Sequence, residues 1–201
     1  MSAQSQPRLT PEQYLESERA AEFRSEYYCG QTFAMGGGSY QHAQIVGGLV
    51  REFGNALKKR PCAVVSTDLR VRVSPDGYTY PDVVVICGDP RFADNQKDTL
   101  LNPTLIVEVL SPSSEAYDRG SKFAQYRTVE SLEEYVLVAQ AEPRVEVFRR
   151  QRDGRWLLSE AFGLESVCRF DSLDCSLALA DIYDKVTFPP GGPIAAARSA
   201  S

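Results

Sequence analysis

The chain has 201 residues, of which 43% are hydrophobic and 24% are charged, a composition typical of a globular domain with a substantial core. It carries 22 Lys and Arg against 27 Asp and Glu, so its net charge is −5. This sign excludes nucleic-acid binding through bulk positive charge and leaves only a local site. The longest aliphatic run, Val83 to Cys87, is too short to cross a bilayer.

Compartment and domain organisation follow from the ends of the chain and from its cysteines. The start, MSAQSQPRLT, has no cationic segment followed by an apolar run, so we expect no signal peptide. Five cysteines in no CxxC arrangement and a single histidine argue against a zinc site and predict reduced thiols in the cytoplasm. We expect one domain over residues 1–188 and a loose tail over 189–201.

The first half of the chain predicts two helices, a hairpin and a strand. Thr10 and Pro11 are typical of a helix start, and that helix should end near Ala20. Residues 23–35 favour a hairpin that turns at Gly30. The glycine-rich segment 36–39 precedes a helix to about residue 59 with apolar residues at three- and four-residue steps. Alternating Val and Arg in segment 70–73 then predict a half-exposed strand.

The second half contains two nearly continuous β-branched runs, 82–86 and 105–110, which are typical of central strands covered on both faces. We expect a helix over 116–129, strands over 135–139, 145–148 and 156–159, and a short helix over 177–183. Together these elements predict an α/β fold in which a central mixed β-sheet is flanked by helices.

Two carboxylates stand where apolar core residues are expected. Glu108 lies between Val107 and Val109 in the most apolar strand, and Asp82 heads the other buried run, directly after Pro81. A buried carboxylate needs a cation, a metal ion or several hydrogen bonds. If the two strands are neighbours, both carboxylates point into one pocket, where they suit a hard divalent cation such as Mg²⁺.

The helix after Glu108 carries a polar face. Asp118, Lys122 and Tyr126 are spaced four apart and therefore share one side of a helix. Lys122 could reach back to Glu108 and neutralise a phosphate or hold the attacking water. The structural alternative is that Asp82 bonds backbone at a strand start and Glu108 forms a buried ion pair with Lys122 or Arg127.

These residues resemble the Uma-two family of endonucleases, within the restriction-endonuclease-like PD-(D/E)xK superfamily. The resemblance rests on the Pro81-Asp82 pair, on the segment EVLSPSS from Glu108, and on the D-x-x-x-K-x-x-x-Y pattern from Asp118 to Tyr126. It covers the chain from Thr10 to about Tyr183.

The resemblance implies a restriction-endonuclease-like core, a bound Mg²⁺ or Mn²⁺ and hydrolysis of DNA phosphodiester bonds. It implies that Asp82 and Glu108 ligate the metal together with the Val109 carbonyl, and that Lys122 is the catalytic lysine. Glu26 matches an acidic position beside the metal. The sequence departs from the superfamily pattern at Leu110, where the E-x-K lysine would stand.

Other features allow more than one interpretation. His42 could contact a phosphate, support Glu26 or simply lie at a helix start. Arginines and lysines in segments 51–60 and 142–155 could contact a DNA backbone or form solvated faces. A serine–lysine hydrolase using Ser113, Ser114 or Ser121 lacks a nucleophile-elbow pattern, and we set it aside.

The sequence therefore favours a metal-dependent DNA endonuclease that acts as a homodimer, since the two DNA strands are related by two-fold symmetry. The rival hypothesis is a non-catalytic nucleic-acid-binding or assembly protein that keeps the nuclease fold. The net charge and Leu110 favour the rival.

Overall fold

A computed structural model describes residues 8–66 and 68–188 of the chain. The first elements match the sequence signals closely. The Thr10 side chain accepts a hydrogen bond from the Gln13 amide while the Gln13 side chain accepts from the Thr10 amide, so a capping box begins helix α1. The predicted hairpin turns through Cys29 and Gly30, whose φ angles are 47° and 89°. Glycine adopts such a positive φ without a steric penalty.

The helices are α1 (Pro11–Ala20), α2 (Tyr40–Leu57), α3 (Glu115–Tyr117), α4 (Phe123–Tyr126) and α5 (Leu179–Ile182), and a π-helical turn (Asp118–Lys122) joins α3 to α4. The strands are β1 (Ser25–Tyr28), β2 (Gln31–Ala34), β3 (Cys62–Ser66), β4 (Arg70–Ser74), β5 (Gly77–Thr79), β6 (Val83–Cys87), β7 (Thr99–Leu100), β8 (Leu105–Val109), β9 (Glu134–Val138), β10 (Arg144–Arg150), β11 (Trp156–Phe162), β12 (Val167–Phe170) and β13 (Cys175–Ala178).

The central sheet has six strands in the order β11-β10-β9-β8-β6-β3. Strands β8 and β9 pair in parallel and the other neighbours pair antiparallel, so the sheet is mixed. Strand β8 is buried along its whole length and β6 along all but its last residue. This confirms the prediction that the two β-branched runs form central strands covered on both faces.

A second sheet of five strands, in the order β2-β1-β5-β4-β7, lies beside the first. Its Tyr27 and Tyr78 pack against Tyr14 of α1. Its opposite face carries Val71 and Val73, which join the core beneath α4. The predicted α/β architecture, a mixed sheet flanked by helices, is therefore confirmed.

The two faces of the central sheet are covered by different elements. On one face α2, α5 and the β12–β13 hairpin pack on alternate strand residues such as Val85, Leu105 and Val107. Helices α2 and α5 approach so closely at Gly48 that an added Cβ would overlap the Ile182 carbonyl oxygen. On the other face, α4 and the second sheet cover residues such as Val84 and Ile106.

Three sequence-based expectations were wrong in detail. Arg70 was expected on the exposed side of a strand, but it is buried, with its guanidinium 3.0 Å from the Tyr80 hydroxyl and 3.0 Å from Asp98. The helix expected over 116–129 is shorter and contains the π turn. The element expected to be a helix over 177–183 begins as strand β13.

The cysteines also differ from the expectation of reduced thiols. Cys62 and Cys87 face each other in the β3–β6 register and form a disulfide. Cys29, Cys168 and Cys175 are free thiols. The spacing of the cysteines along the sequence does not indicate this disulfide, because the two residues come together only through the register of the folded sheet.

No helix within the described residues is both long and apolar enough to cross a membrane. The proposed extent of the domain, residues 1–188, stays a prediction, and the expected tail over 189–201 lies outside the described residues.

Candidate active site

Two carboxylates meet at the same end of neighbouring strands. Val83 of β6 pairs with Val107 of β8, which places Asp82 beside Glu108 in the antiparallel register. The backbone amide of Val109 donates to Asp82 Oδ2 at 2.7 Å. The sequence-based expectation that both carboxylates share one pocket depended on these strands being neighbours, and they are.

Glu108 is 4% exposed and its carboxylate has two close partners. Lys122 Nζ lies 2.9 Å from Oε1, and the Tyr126 hydroxyl donates to the same oxygen at 2.7 Å. Burial raises the pKa of Glu108 well above its ordinary value; Lys122 opposes this, whereas the nearby Asp82 carboxylate adds to it. The carboxyl is thus tuned by its surroundings, as catalytic carboxyls are.

The π turn sets the position of Lys122. Its ammonium lies 3.0 Å from Glu26 Oε1 and 3.7 Å from Asp118 Oδ1, in addition to its contact with Glu108. Burial favours a lower pKa for Lys122, but the carboxylates of Glu108, Glu26 and Asp118 outweigh it and raise the pKa well above the ordinary lysine value. Lys122 is therefore a fixed cation. π turns are frequent at functional sites because they re-aim side chains within a helix.

Asp118 shares the buried helix face with Lys122, as its spacing predicted. It is 2% exposed, and burial raises its pKa while Lys122 opposes the rise. The Tyr117 ring centroid lies 5.9 Å from the Lys122 ammonium, a cation–π distance.

Glu26 enters the cluster from the second sheet. It lies on β1 next to β5, where the Tyr80 amide lies 3.3 Å from its Oε1. Thr79 of β5 also faces the cluster, with its hydroxyl 3.1 Å from that of Tyr126. The carboxylates therefore come from both sheets, and the lysine that they share comes from the helical segment between them.

His42 lies in the first turn of α2, whose N-cap is Ser39. Its Nε2 is 3.1 Å from Asp82 Oδ2, and this hydrogen bond raises the pKa of His42 although burial opposes the rise. Of the roles that the sequence left open for His42, the structure shows the partly exposed position at the helix start and no contact with Glu26. The histidine contacts Asp82 instead.

The donor set fits a hard divalent cation. The cluster gathers the oxygens of Asp82, Glu108, Glu26 and Asp118 against one lysine and one histidine, so negative charge is in excess. Mg²⁺ typically binds through one or two carboxylates and completes its coordination with water and substrate phosphate. Asp82 and Glu108 are two such carboxylates. Among the described residues, no group of three or more His, Cys, Asp or Glu side chains is placed to hold a metal ion.

All the residues singled out for the site lie in this cluster or contact it. Leu110, where the resemblance noted in the sequence would place the E-x-K lysine, is buried in the core with Tyr126 of α4. Sequence reasoning missed Thr79 and Tyr117. Thr79 lies in a strand of three residues, and Tyr117 is one position from Asp118 on a turn whose π geometry no spacing rule indicates.

Most arginines of the basic segments are engaged within the chain, whereas Lys58, Lys59 and Arg152 are exposed to solvent. Arg51 pairs with Glu52, Arg60 with Asp174 and Arg149 with Asp171. Arg144 and Arg155 pair with Glu142 and Asp153, while Arg150 donates to backbone carbonyls. These pairs weaken the interpretation of the segments as DNA-backbone contacts.

Comparison with known proteins shows which family the chain matches and which proteins it resembles. Residues 11–180 match the Uma2 family model, described as "Putative restriction endonuclease". Two proteins of Synechocystis sp. (strain ATCC 27184 / PCC 6803 / Kazusa), both named as uncharacterized, are similar to this chain. The first is 38% identical, and the match covers 90% of this chain and 95% of that protein. The second is 36% identical, and the match covers 81% of this chain and 92% of that protein.

The fold is also similar to a crystal structure from Anabaena variabilis ATCC 29413, described as a putative nuclease belonging to DUF820. The TM-score is 0.71 at 19% identity, and the match covers 89% of this chain and 99% of that one. At this identity the similarity establishes the fold.

Proposed function

Because the chain belongs to the Uma2 family of putative restriction endonucleases, we propose that it is a metal-dependent endonuclease that hydrolyses DNA phosphodiester bonds. One observation carries the proposal: the buried Glu108 carboxylate lies beside Asp82 and in contact with Lys122, in an otherwise apolar strand. A shared lysine among carboxylates on rigid strands agrees with a PD-(D/E)xK-type site that takes its lysine from the following helical segment.

Asp82 and Glu108 would hold Mg²⁺ or Mn²⁺, with the Val109 carbonyl as a further ligand. When bound, the cation would supply Lewis-acid stabilisation of charge on the phosphoryl group. No step below depends on a geometry for that ion.

The residues of the chain have separate parts in the reaction. Lys122, held as a cation by its carboxylate partners, orients the attacking water and stabilises charge that develops on the phosphate. Its raised pKa argues against the alternative that it removes a proton from that water. Tyr126 fixes the Glu108 carboxylate by its hydrogen bond, and His42 does the same for Asp82. The water oxygen adds to phosphorus and gives up a proton to solvent, the bond to one ribose oxygen breaks, and that oxygen takes up a proton from solvent, so that one water molecule is consumed.

Cleavage of supercoiled plasmid by the purified protein with Mn²⁺ tests the proposal. Nicking or linearisation that disappears with a chelator and in Asp82→Asn is the expected result. Activity that persists in Asp82→Asn would assign the cleavage to another site or to a contaminant. A Glu133→Gln control, close to the sheet but outside the cluster, should cleave like the wild type.

A second candidate is a non-catalytic nucleic-acid-binding or assembly protein. Lys122 already neutralises part of the carboxylate charge, and the described residues lack a ready three-ligand ion site. An absence of cleavage on every DNA form, combined with measurable DNA binding, would favour this candidate.

The homodimer and the cytoplasmic location remain proposals. The chain contains a disulfide between Cys62 and Cys87, and disulfides are rare in cytoplasmic proteins. Alkylation of thiols in fresh cell extract, followed by mass spectrometry, tests the location. Modification of Cys62 and Cys87 supports it, whereas their protection from the reagent contradicts it.

A further inference from the structure

The outer hairpin strand, β2, continues the sheet face on which the candidate active site is built. Phe33 of β2 pairs with Glu26 of β1, so both side chains lie on the same face of the sheet. Paired residues of antiparallel strands have Cβ atoms about 5 Å apart. Since Glu26 contacts Lys122 at 3.0 Å, Phe33 borders the catalytic cluster.

This outer part of the face is apolar and uncovered. Tyr28, Phe33 and Met35 are 40%, 48% and 39% exposed. Tyr28 follows Glu26 by two residues, Phe33 pairs with Glu26, and Met35 follows Phe33 by two residues, so all three lie on the face of Glu26. We call these three residues the edge platform. On the opposite face of the hairpin Tyr27 packs on α1, whereas all four residues of β2 are exposed. Phe33 is the aromatic residue of β2, and it lies on the side that borders the site.

Charge indicates what would cover the platform. The chain has a net charge of −5, and most arginines of segments 51–60 and 142–155 are paired internally, so attraction for nucleic-acid phosphates is weak and contacts with bases must supply much of the affinity. Two exposed arginines flank the platform: Arg24, whose carbonyl accepts from the Met35 amide, and Arg8, whose side chain lies against Gly30. Aromatic side chains bordered by cations are how proteins bind single strands, with bases stacked on rings and phosphates near positive charge.

Given the nuclease function proposed above, on which this inference rests, we propose that the edge platform stacks an unpaired base next to the scissile phosphate. The substrate class is then single-stranded DNA, or duplex DNA that carries unpaired nucleotides, since a paired duplex hides the base faces within its own stack. Phe33 is the specificity-determining residue, because it is both exposed and adjacent to Glu26.

Binding in the presence of a chelator tests the platform independently of catalysis. The probe is an oligonucleotide containing 2-aminopurine, used single-stranded and annealed to its complement, with fluorescence quenching and anisotropy as readouts. We expect tighter binding of the single strand, a loss of about 5- to 100-fold in Phe33→Ala, and recovery in Phe33→Trp. The matched control is Leu158→Ala, a similarly exposed residue on β11 at the other side of the central sheet, which should bind like the wild type.

Two results would overturn the inference. One is single-strand binding by Phe33→Ala equal to that of the wild type. The other is a sedimentation profile in which Phe33→Ala converts a dimer to a monomer without affecting DNA binding, because a second copy of the chain would then cover the platform.

The test separates this inference from the proposed function. If single-strand binding depends on Phe33 but the protein cleaves no DNA, the base-stacking role of the edge platform is supported and the proposed nuclease function is rejected. If the protein cleaves DNA and neither binding nor cleavage depends on Phe33, the proposed nuclease function is supported and the base-stacking role of the edge platform is rejected.

Discussion

The two faces of the central sheet use the same strands for different purposes. On the face covered by α2 and α5, the alternate residues of β6, β8 and β9 are aliphatic except Cys87 and Glu134, and the aliphatic ones form one continuous core. The buried Glu134 carboxylate accepts hydrogen bonds from the Asp171 amide and the Ser172 hydroxyl at the end of this face. On the other face the same alternation begins with Val84 and Ile106 and ends in Glu108, where the aliphatic pattern gives way to a buried polar cluster. One face supplies stability, and it allows the other to hold groups that cost stability.

The comparison predicts that the polar face depends on its single lysine. Lys122→Met leaves three buried carboxylates without their shared cation and should reduce the free energy of unfolding by about 3–5 kcal/mol in chelator. Divalent cations should restore part of that stability and should raise the melting temperature of the variant more than that of the wild type. Chemical denaturation with and without Mg²⁺ measures the change in stability. If Mg²⁺ stabilised the variant and the wild type equally, the inferred excess of negative charge in the cluster would be contradicted.

The apolar face provides the matched experiment. Leu105→Ala removes a fully buried side chain on that face and should cost about 2–5 kcal/mol. Because no residue of the candidate ion site is involved, the loss should be the same with Mg²⁺ as with chelator. Cleavage per folded molecule should also stay near the wild-type value. A cation-dependent loss in this variant would mean that the two faces are not separable.

Tyr126→Phe probes the boundary between the two environments. The hydroxyl donates to Glu108, so its removal should cost about 1.5–3 kcal/mol, the range for hydrogen bonds to charged groups. With less stabilisation of its charged form, Glu108 should also bind Mn²⁺ more weakly. Calorimetric titration with Mn²⁺ measures this, and an unchanged affinity would show that Tyr126 does not position the carboxylate.

The smallest expected effect lies outside both faces. Arg19 holds the pKa of Asp98 well below its usual range through a hydrogen bond of 2.7 Å. A depressed carboxyl pKa stabilises the fold above the unfolded value of about 4, and that stability is lost as pH falls below it. Since Asp98 is partly exposed, Asp98→Asn should cost only about 0.2–1 kcal/mol at pH 7 and less near pH 2, because the stabilisation declines until the pH falls below the depressed folded-state pKa. Denaturation at the two pH values checks the sign.

The sequence allowed the strands and the site residues to be predicted to different extents. The β-branched runs predicted β6 and β8, and the break in their pattern at Glu108 marked the site. The four-residue spacing placed Lys122 and Tyr126 correctly on one helix face, but not the π turn that brings Lys122 onto Glu26. A π turn depends on packing against both sheets and leaves no periodic pattern.

Other features required the register of the folded sheets. The Cys62–Cys87 disulfide and the pairing of Phe33 with Glu26 join residues whose partners are fixed only when strands align. The alternating Val and Arg residues of segment 70–73 predicted a strand with one solvent-exposed face, and Arg70 was expected on that face. The second sheet packs α1 on that face, so the guanidinium is buried with Tyr80 and Asp98.

The central claim is that Asp82 and Glu108 form the ion site of a nuclease, and diffraction from crystals soaked in Mn²⁺ tests it most directly. We predict an anomalous-difference peak between the two carboxylates that is absent in Glu108→Gln crystals treated in the same way. A protein that cleaves DNA with Mn²⁺, yet shows its anomalous peak elsewhere or none at this cluster, would contradict the account.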